Sequence, residues 1–197
     1  MRLHEPLFNK LALRLAGSGL APNTVTLASV PPALLAGVFA AQGWFLLAAV
    51  LLLLSGLADL LDGALARMTG RTSRFGALLD SSLDRIADGC IPLGLIVFYA
   101  PHGAIALIPG AALLAGLWIP YIRARAQSLQ LELPRLWMRR EDRFMALVLA
   151  LVFARWPWTD PPLPGFPVLI VLTGIAVLGT MAGIMALKAA ARADRAD

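Results

Sequence analysis

Five carboxylates crowd one stretch of this chain. Asp59, Asp62, Asp80, Asp84 and Asp88 fall within a span of thirty residues, in a sequence of 197 that holds only twelve Asp and Glu in all. Their spacing is helical. Asp59 and Asp62 are three apart, Asp80 and Asp84 are four apart, and Asp88 extends the second series by one turn, so each set shares a helix face. A connection of about ten residues between two helices makes them antiparallel neighbours and sets the two faces against each other. Four carboxylates converging beside apolar runs repel one another and are costly to ionise. Divalent cations resolve the conflict, because carboxylate oxygens are hard ligands suited to Mg2+, Mn2+ or Ca2+. No His and no usable Cys lies nearby, which disfavours zinc. Four carboxylates suffice for two metals with shared ligands, about 4 Å apart, which is a clamp for phosphoryl transfer. Gly63 and Gly76 remove side chains beside the cluster and permit close approach. Arg67 lies one turn beyond Gly63 and can meet a phosphate.

The elements that must position these acids are membrane helices. The chain is 59% hydrophobic, with a mean hydropathy of +0.75, against about 45–50% apolar in soluble domains. A hydrocarbon core of roughly 30 Å takes about 20 helical residues per span. Apolar runs predict six spans, at about 25–41, 44–67, 75–99, 104–127, 142–156 and 166–189. The fold class is therefore all-α, a polytopic membrane protein. Residues 1–22 read as a juxtamembrane amphipathic helix, from Leu7, Phe8, Leu11 and Leu15 with Lys10 and Arg14 between them. Residues 23–190 form the transmembrane domain, and 191–197 a tail. Asn23 or Thr24 is expected to cap the first helix. Pro31 and Pro32 predict a kink in it. Trp156, Pro157 and Trp158 mark an interfacial belt and turn. The first twenty residues lack a continuous apolar run, so the first span is expected to act as the insertion signal.

Charge fixes the orientation. With the N-terminus inside, sixteen of the seventeen Lys and Arg fall on the cytoplasmic side, and only Arg155 lies outside. Both termini and the acid cluster are thus expected at the cytoplasmic face of a plasma (inner) membrane. The net charge of +5 reads as topology plus an anionic substrate or lipid, not as a nucleic-acid surface, because no basic run with interleaved aromatics is present. Cys90 has no internal partner and reads as a small buried hydrophobe.

At this point the sequence resembles the CDP-alcohol phosphatidyltransferases. Their motif, D-x-x-D-G-x-x-A-R, eight residues, then G-x-x-x-D-x-x-x-D, is filled by Asp59, Asp62, Gly63, Ala66, Arg67, Gly76, Asp80 and Asp84. The resemblance implies transfer of a phosphatidyl group from CDP-diacylglycerol to an alcohol with release of CMP. It implies two divalent cations, Mg2+ or Mn2+, held by Asp59, Asp62, Asp80 and Asp84, with Asp84 also the general base on the acceptor hydroxyl. Asp62, Gly63, Ala66, Arg67, Thr72 and Ser73 would line the CDP pocket. A homodimer embedded among membrane lipids is implied as well.

The acceptor is read from the arginines. Arg123, Arg125, Arg139, Arg140 and Arg143 gather near one end of the fourth and fifth helices. On a solvated loop they would serve topology alone, whereas together they suit the phosphate of a phosphorylated acceptor. The stretches FGALLDSSLDRIADG and YIRARAQ resemble those of phosphatidylinositol-phosphate synthases. That resemblance implies inositol 1-phosphate as acceptor, bound by Arg123, Arg140 and Arg143. RREDR and Pro120 depart from that subfamily's wording, so glycerol 3-phosphate or another alcohol stays open. A reading of another class is a small transporter using intramembrane acids. Its acids would lie near the midplane, whereas these lie at helix ends.

Overall fold

The computed structural model describes residues 21–70, 72–134, 137–154 and 164–193. Among them the chain is all helical: α1 is Pro22–Ala41, α2 Phe45–Met68, α3 Arg74–Tyr99, α4 Leu107–Ser128, α5 Arg140–Val152 and α6 Phe166–Ala193. A 3-10 segment, Ala100–Ala106, joins α3 to α4. Among the described residues four segments are long and apolar enough to cross a membrane: Asn23–Ala41, Phe45–Met68, Arg74–Ser128 and Phe166–Ala193. The third of these contains both α3 and α4. Helix α5 has 13 residues, about 20 Å of rise against a hydrocarbon core of roughly 30 Å. The expected amphipathic helix at 1–22 lies outside the described residues but for its last two positions, and the Trp156–Trp158 belt lies wholly outside them. Large apolar side chains such as Leu46, Val97, Leu107 and Leu114 are more than 60% exposed on the outer surface. That belt suits hydrocarbon rather than water.

Several boundaries differ from the sequence expectation. Helix α1 starts at Pro22 with extended Ala21 as its N-cap and no side-chain cap, so neither Asn23 nor Thr24 takes that place. Proline at the first helical position has its φ already set and no N–H to leave unpaired. The α2–α3 connection is residues 69–73, shorter than the ten anticipated, because α2 runs on to Met68 and α3 starts at Arg74. The fourth helix begins at Leu107, not Ala104, because Gly103 takes a positive φ of 64° within the 3-10 turn.

Small residues set the helix distances that matter for the site. Gly37 of α1 and Gly94 of α3 bring two backbones into contact, and a Cβ on Gly94 would fall on the Gly37 carbonyl. Ala33, Ala36 and Ala40 continue that buried face. Ser55 Oγ of α2 donates to the Ser29 carbonyl of α1 at 2.8 Å. Gly56 of α2 receives the Phe144 ring of α5, one turn past Arg140. Leu52, Ile91, Leu95, Leu147, Leu151, Val168 and Leu172 fill the space between these helices. At the other end Tyr99 Oη lies 3.0 Å from the Pro164 carbonyl and 3.1 Å from that of Gly165, which ties α3 to the start of α6.

Candidate active site

The last turns of α2 and the first turns of α3 face each other across their short connection. Asp59, Asp62 and Asp80 each offer a carboxylate oxygen, all within 4.8 Å of one another. Asp62 is 4% exposed. The Thr26 side chain from α1 hydrogen-bonds it, yet its Oδ2 is buried without a hydrogen-bond partner among the described residues. Burying an unpaired charged oxygen is costly. An orphaned buried oxygen in an all-carboxylate set fits a hard divalent cation. Asp59, Asp62 and Asp80 would hold it, and its charge would neutralise a phosphate group brought to the cluster.

Asp84 lies outside that trio, one turn further along α3, and is engaged by arginine. Arg140, the first residue of α5, places Nη2 2.8 Å from Asp84 Oδ1, Nη1 2.8 Å from Asp59 Oδ2 and Nε 3.1 Å from Asp88 Oδ1. A planar guanidinium with its donors in a fixed fork can span three carboxylates in this way. Arg85 reaches both Asp84 and Asp88 at 3.6 Å. Arg143 is buried, donates from Nη1 to the Met138 carbonyl at 2.7 Å and lies 3.8 Å from Asp88 Oδ2. Met138 itself has φ 56°, a left-handed backbone unusual for a non-glycine residue. The Arg139 N–H donates to Asp142 Oδ2 at 3.1 Å and caps α5. A cavity lined by Asp88, Arg140 and Arg143, with Leu52, Ile91 and Phe144 as apolar walls, runs from the acids into the bundle.

The remaining sequence candidates divide. Arg67 folds back over Gly63, where a Cβ would lie 3.3 Å from its Nη1; glycine leaves that guanidinium its place. Ala66 is half-buried and Arg67 exposed on the same end of α2. Ser73 is the N-cap of α3, accepting from the Gly76 N–H at 2.9 Å, a role that the sequence reading had not given it. Thr72 is exposed beside it. Arg123 is exposed on α4 and does not line the cavity that holds Arg140 and Arg143. Thr26 was missed as a site member, and Asp88 was placed in the acid stripe without a site role. Thr26 and Ser29, polar and three apart in an otherwise apolar run, are the signal that could have found the former.

An all-helical membrane protein with a carboxylate trio for a divalent cation, and a fork of guanidinium against it, is built as an integral-membrane enzyme acting on phosphate. The chain belongs to the CDP-alcohol phosphatidyltransferase family, whose model matches residues 19–191. It is 33% identical over 186 residues to a phosphatidylinositol phosphate synthase of Streptomyces avermitilis, covering 91% of this chain and 75% of that one. It is 41% identical over 138 residues to an archaetidylinositol phosphate synthase of Aeropyrum pernix, covering 68% and 67%. Its fold is similar to that of the phosphatidylinositol phosphate synthase of Mycobacterium tuberculosis with CDP-DAG bound, with a TM-score of 0.83, 25% identity and coverage of 93% and 92%. The same enzyme in complex with manganese and citrate also gives 0.83, at 26% identity and coverage of 93% and 88%.

Proposed function

We propose that this chain transfers the phosphatidyl group of CDP-diacylglycerol to a hydroxyl of inositol 1-phosphate and releases CMP. One observation carries the reading: Arg140 binds Asp59 and Asp84 at 2.8 Å each while Asp59 also belongs to the carboxylate trio. A cation-holding group and a phosphate-matching guanidinium therefore share one place. Asp59, Asp62, Asp80 and Asp84 would hold two divalent cations, Mg2+ or Mn2+, which supply charge neutralisation on the pyrophosphate and on departing CMP. Asp84 takes the proton of the acceptor hydroxyl as that oxygen attacks the phosphatidyl phosphorus. The bond from this phosphorus to the bridging oxygen breaks, and that oxygen leaves on CMP with the electron pair. Asp62, Gly63, Ala66 and Arg67, with Thr72 and Ser73, line the CDP pocket. Arg140 and Arg143 hold the acceptor phosphate, while Arg123, also expected to bind it, does not line their cavity. The relatives named for making inositol phosphate lipids support that acceptor.

The same reading places α1–α6 as six spans of one transmembrane domain. Helix α6 runs to Ala193, past the expected start of the tail at 191. Both termini and the site face the cytoplasm at the plasma membrane, supported by sixteen of seventeen basic residues falling on one side. The family resemblance supports a homodimer. The test is CMP release from purified protein given CDP-diacylglycerol, Mg2+ or Mn2+, and a panel of acceptors. Release with inositol 1-phosphate is expected. Release with glycerol 3-phosphate alone contradicts the acceptor, and none with any acceptor and metal contradicts the transferase reading.

A further inference from the structure

Asp88 takes no part in the chemistry above. It lies one turn past Asp84 on α3, outside the carboxylate trio, and its side chain is 17% exposed. Three guanidinium groups from two helices converge on it. Its Oδ1 accepts from Arg140 Nε at 3.1 Å. Its Oδ2 lies 3.6 Å from Arg85 Nη2 and 3.8 Å from Arg143 Nη2. Those two distances are ion pairs too long for hydrogen bonds, and Oδ2 is buried with no hydrogen-bond partner among the described residues. Asp88 also lines the cavity that Arg140 and Arg143 border.

A carboxylate inside a pocket meant for an anion weakens the pull of that pocket on phosphate. It must return something for that cost, and the contacts show orientation. Arg140 is fixed in its plane by Nε on Asp88 while its two terminal nitrogens meet Asp59 and Asp84. Arg143 is fixed at one nitrogen by the Met138 carbonyl, and its other faces Asp88. Gly56 and Gly116 line the same cavity, and a Cβ on Gly116 would lie 4.0 Å from Arg143 Nε. Without a carboxylate between them, three like charges would spread apart.

We propose that Asp88 is a positioning residue that holds Arg140 and Arg143 for the phosphate of the acceptor, and so makes the enzyme select a phosphorylated over an unphosphorylated alcohol. The inference rests on the assignment of those two arginines to the acceptor under Proposed function. The test uses the full chain in lipid nanodiscs with Mg2+, comparing Asp88→Asn, Asp88→Glu, Arg143→Gln and the D88N/R143Q pair. In D88N the KM for inositol 1-phosphate rises about 10- to 100-fold, the loss of one or two charge-assisted contacts, while kcat at saturating acceptor stays within about threefold. CDP-diacylglycerol binding is unchanged, and D88E recovers most of the loss. The pair is worse than either single variant but falls short of the product of their losses, because Asp88 acts partly through Arg143 and partly through Arg140.

An unchanged acceptor KM in D88N, with R143Q impaired, overturns the Asp88 inference and leaves the acceptor assignment standing. So does a fall in kcat alone, or a pair whose losses multiply. An R143Q protein with normal acceptor KM overturns the acceptor assignment, and the inference with it. Should D88N fail to accumulate, D88E carries the test, with a modest KM rise at constant kcat expected and an unchanged KM overturning the idea.

Discussion

Replacing Arg140 by Gln is expected to move two observables in opposite directions. The guanidinium makes three contacts of 2.8, 2.8 and 3.1 Å with Asp59, Asp84 and Asp88, and its side chain is 29% exposed. Each charge-assisted hydrogen bond contributes about 1.5–3 kcal/mol. Because one group makes all three, the contributions do not add, and removing one partner of such a network costs about 3–5 kcal/mol. If most of that loss falls on the transition state, kcat/KM for the acceptor drops about 100- to 1000-fold. Metal binding moves the other way. Arg140 competes for the Asp59 oxygen that belongs to the carboxylate trio. Freeing one such contact tightens Mn2+ binding about tenfold or more. Mn2+ affinity is read by electron paramagnetic resonance on lipid-free protein, and turnover by CMP release. Arg140→Lys keeps the charge but not the fork, so it should stay weak in turnover while leaving metal affinity near that of the native protein. Weaker Mn2+ binding in R140Q, or unchanged turnover, would refute the reasoning.

Other consequences follow from the same geometry. Asp84→Asn should abolish CMP release while CDP-diacylglycerol binding persists, measured by equilibrium binding of a labelled analogue; persistent CMP release denies Asp84 its role as base. Thr26→Val removes the hydroxyl on Asp62, about 1 kcal/mol of support, and should weaken Mn2+ binding about fivefold in titration. Gly94→Ala pushes a methyl against the Gly37 carbonyl, which should cost about 1–3 kcal/mol. A lower melting temperature reports it, and weaker Mn2+ binding accompanies it, since α1 carries Thr26.

The acids were legible because their chemistry is local. Positions three and four apart share a helix face, and a short connection between α2 and α3 left the two faces no partner but each other. The long apolar helices were legible for a similar reason, since twenty apolar residues in a row admit few other homes. Arg140 was not legible as the partner of the acids. It stands 81 residues from Asp59 in sequence, and what brings it there is Phe144 seated on Gly56, a fit of shapes with no periodicity to announce it. Thr26 is hidden in the same manner, delivered by the Gly37–Gly94 contact. The cap of α1 was misread because Asn and Thr are strong caps, while Pro22 one residue earlier had already started the helix.

The most direct test of the transfer itself identifies the lipid product. Purified protein with CDP-diacylglycerol, inositol 1-phosphate and Mg2+ is analysed by mass spectrometry for lipid and nucleotide together. One CMP for each new lipid that carries the donor's acyl chains and an inositol phosphate headgroup is the predicted result. Phosphatidic acid with CMP and no headgroup transfer, or no CMP at all, would contradict the account.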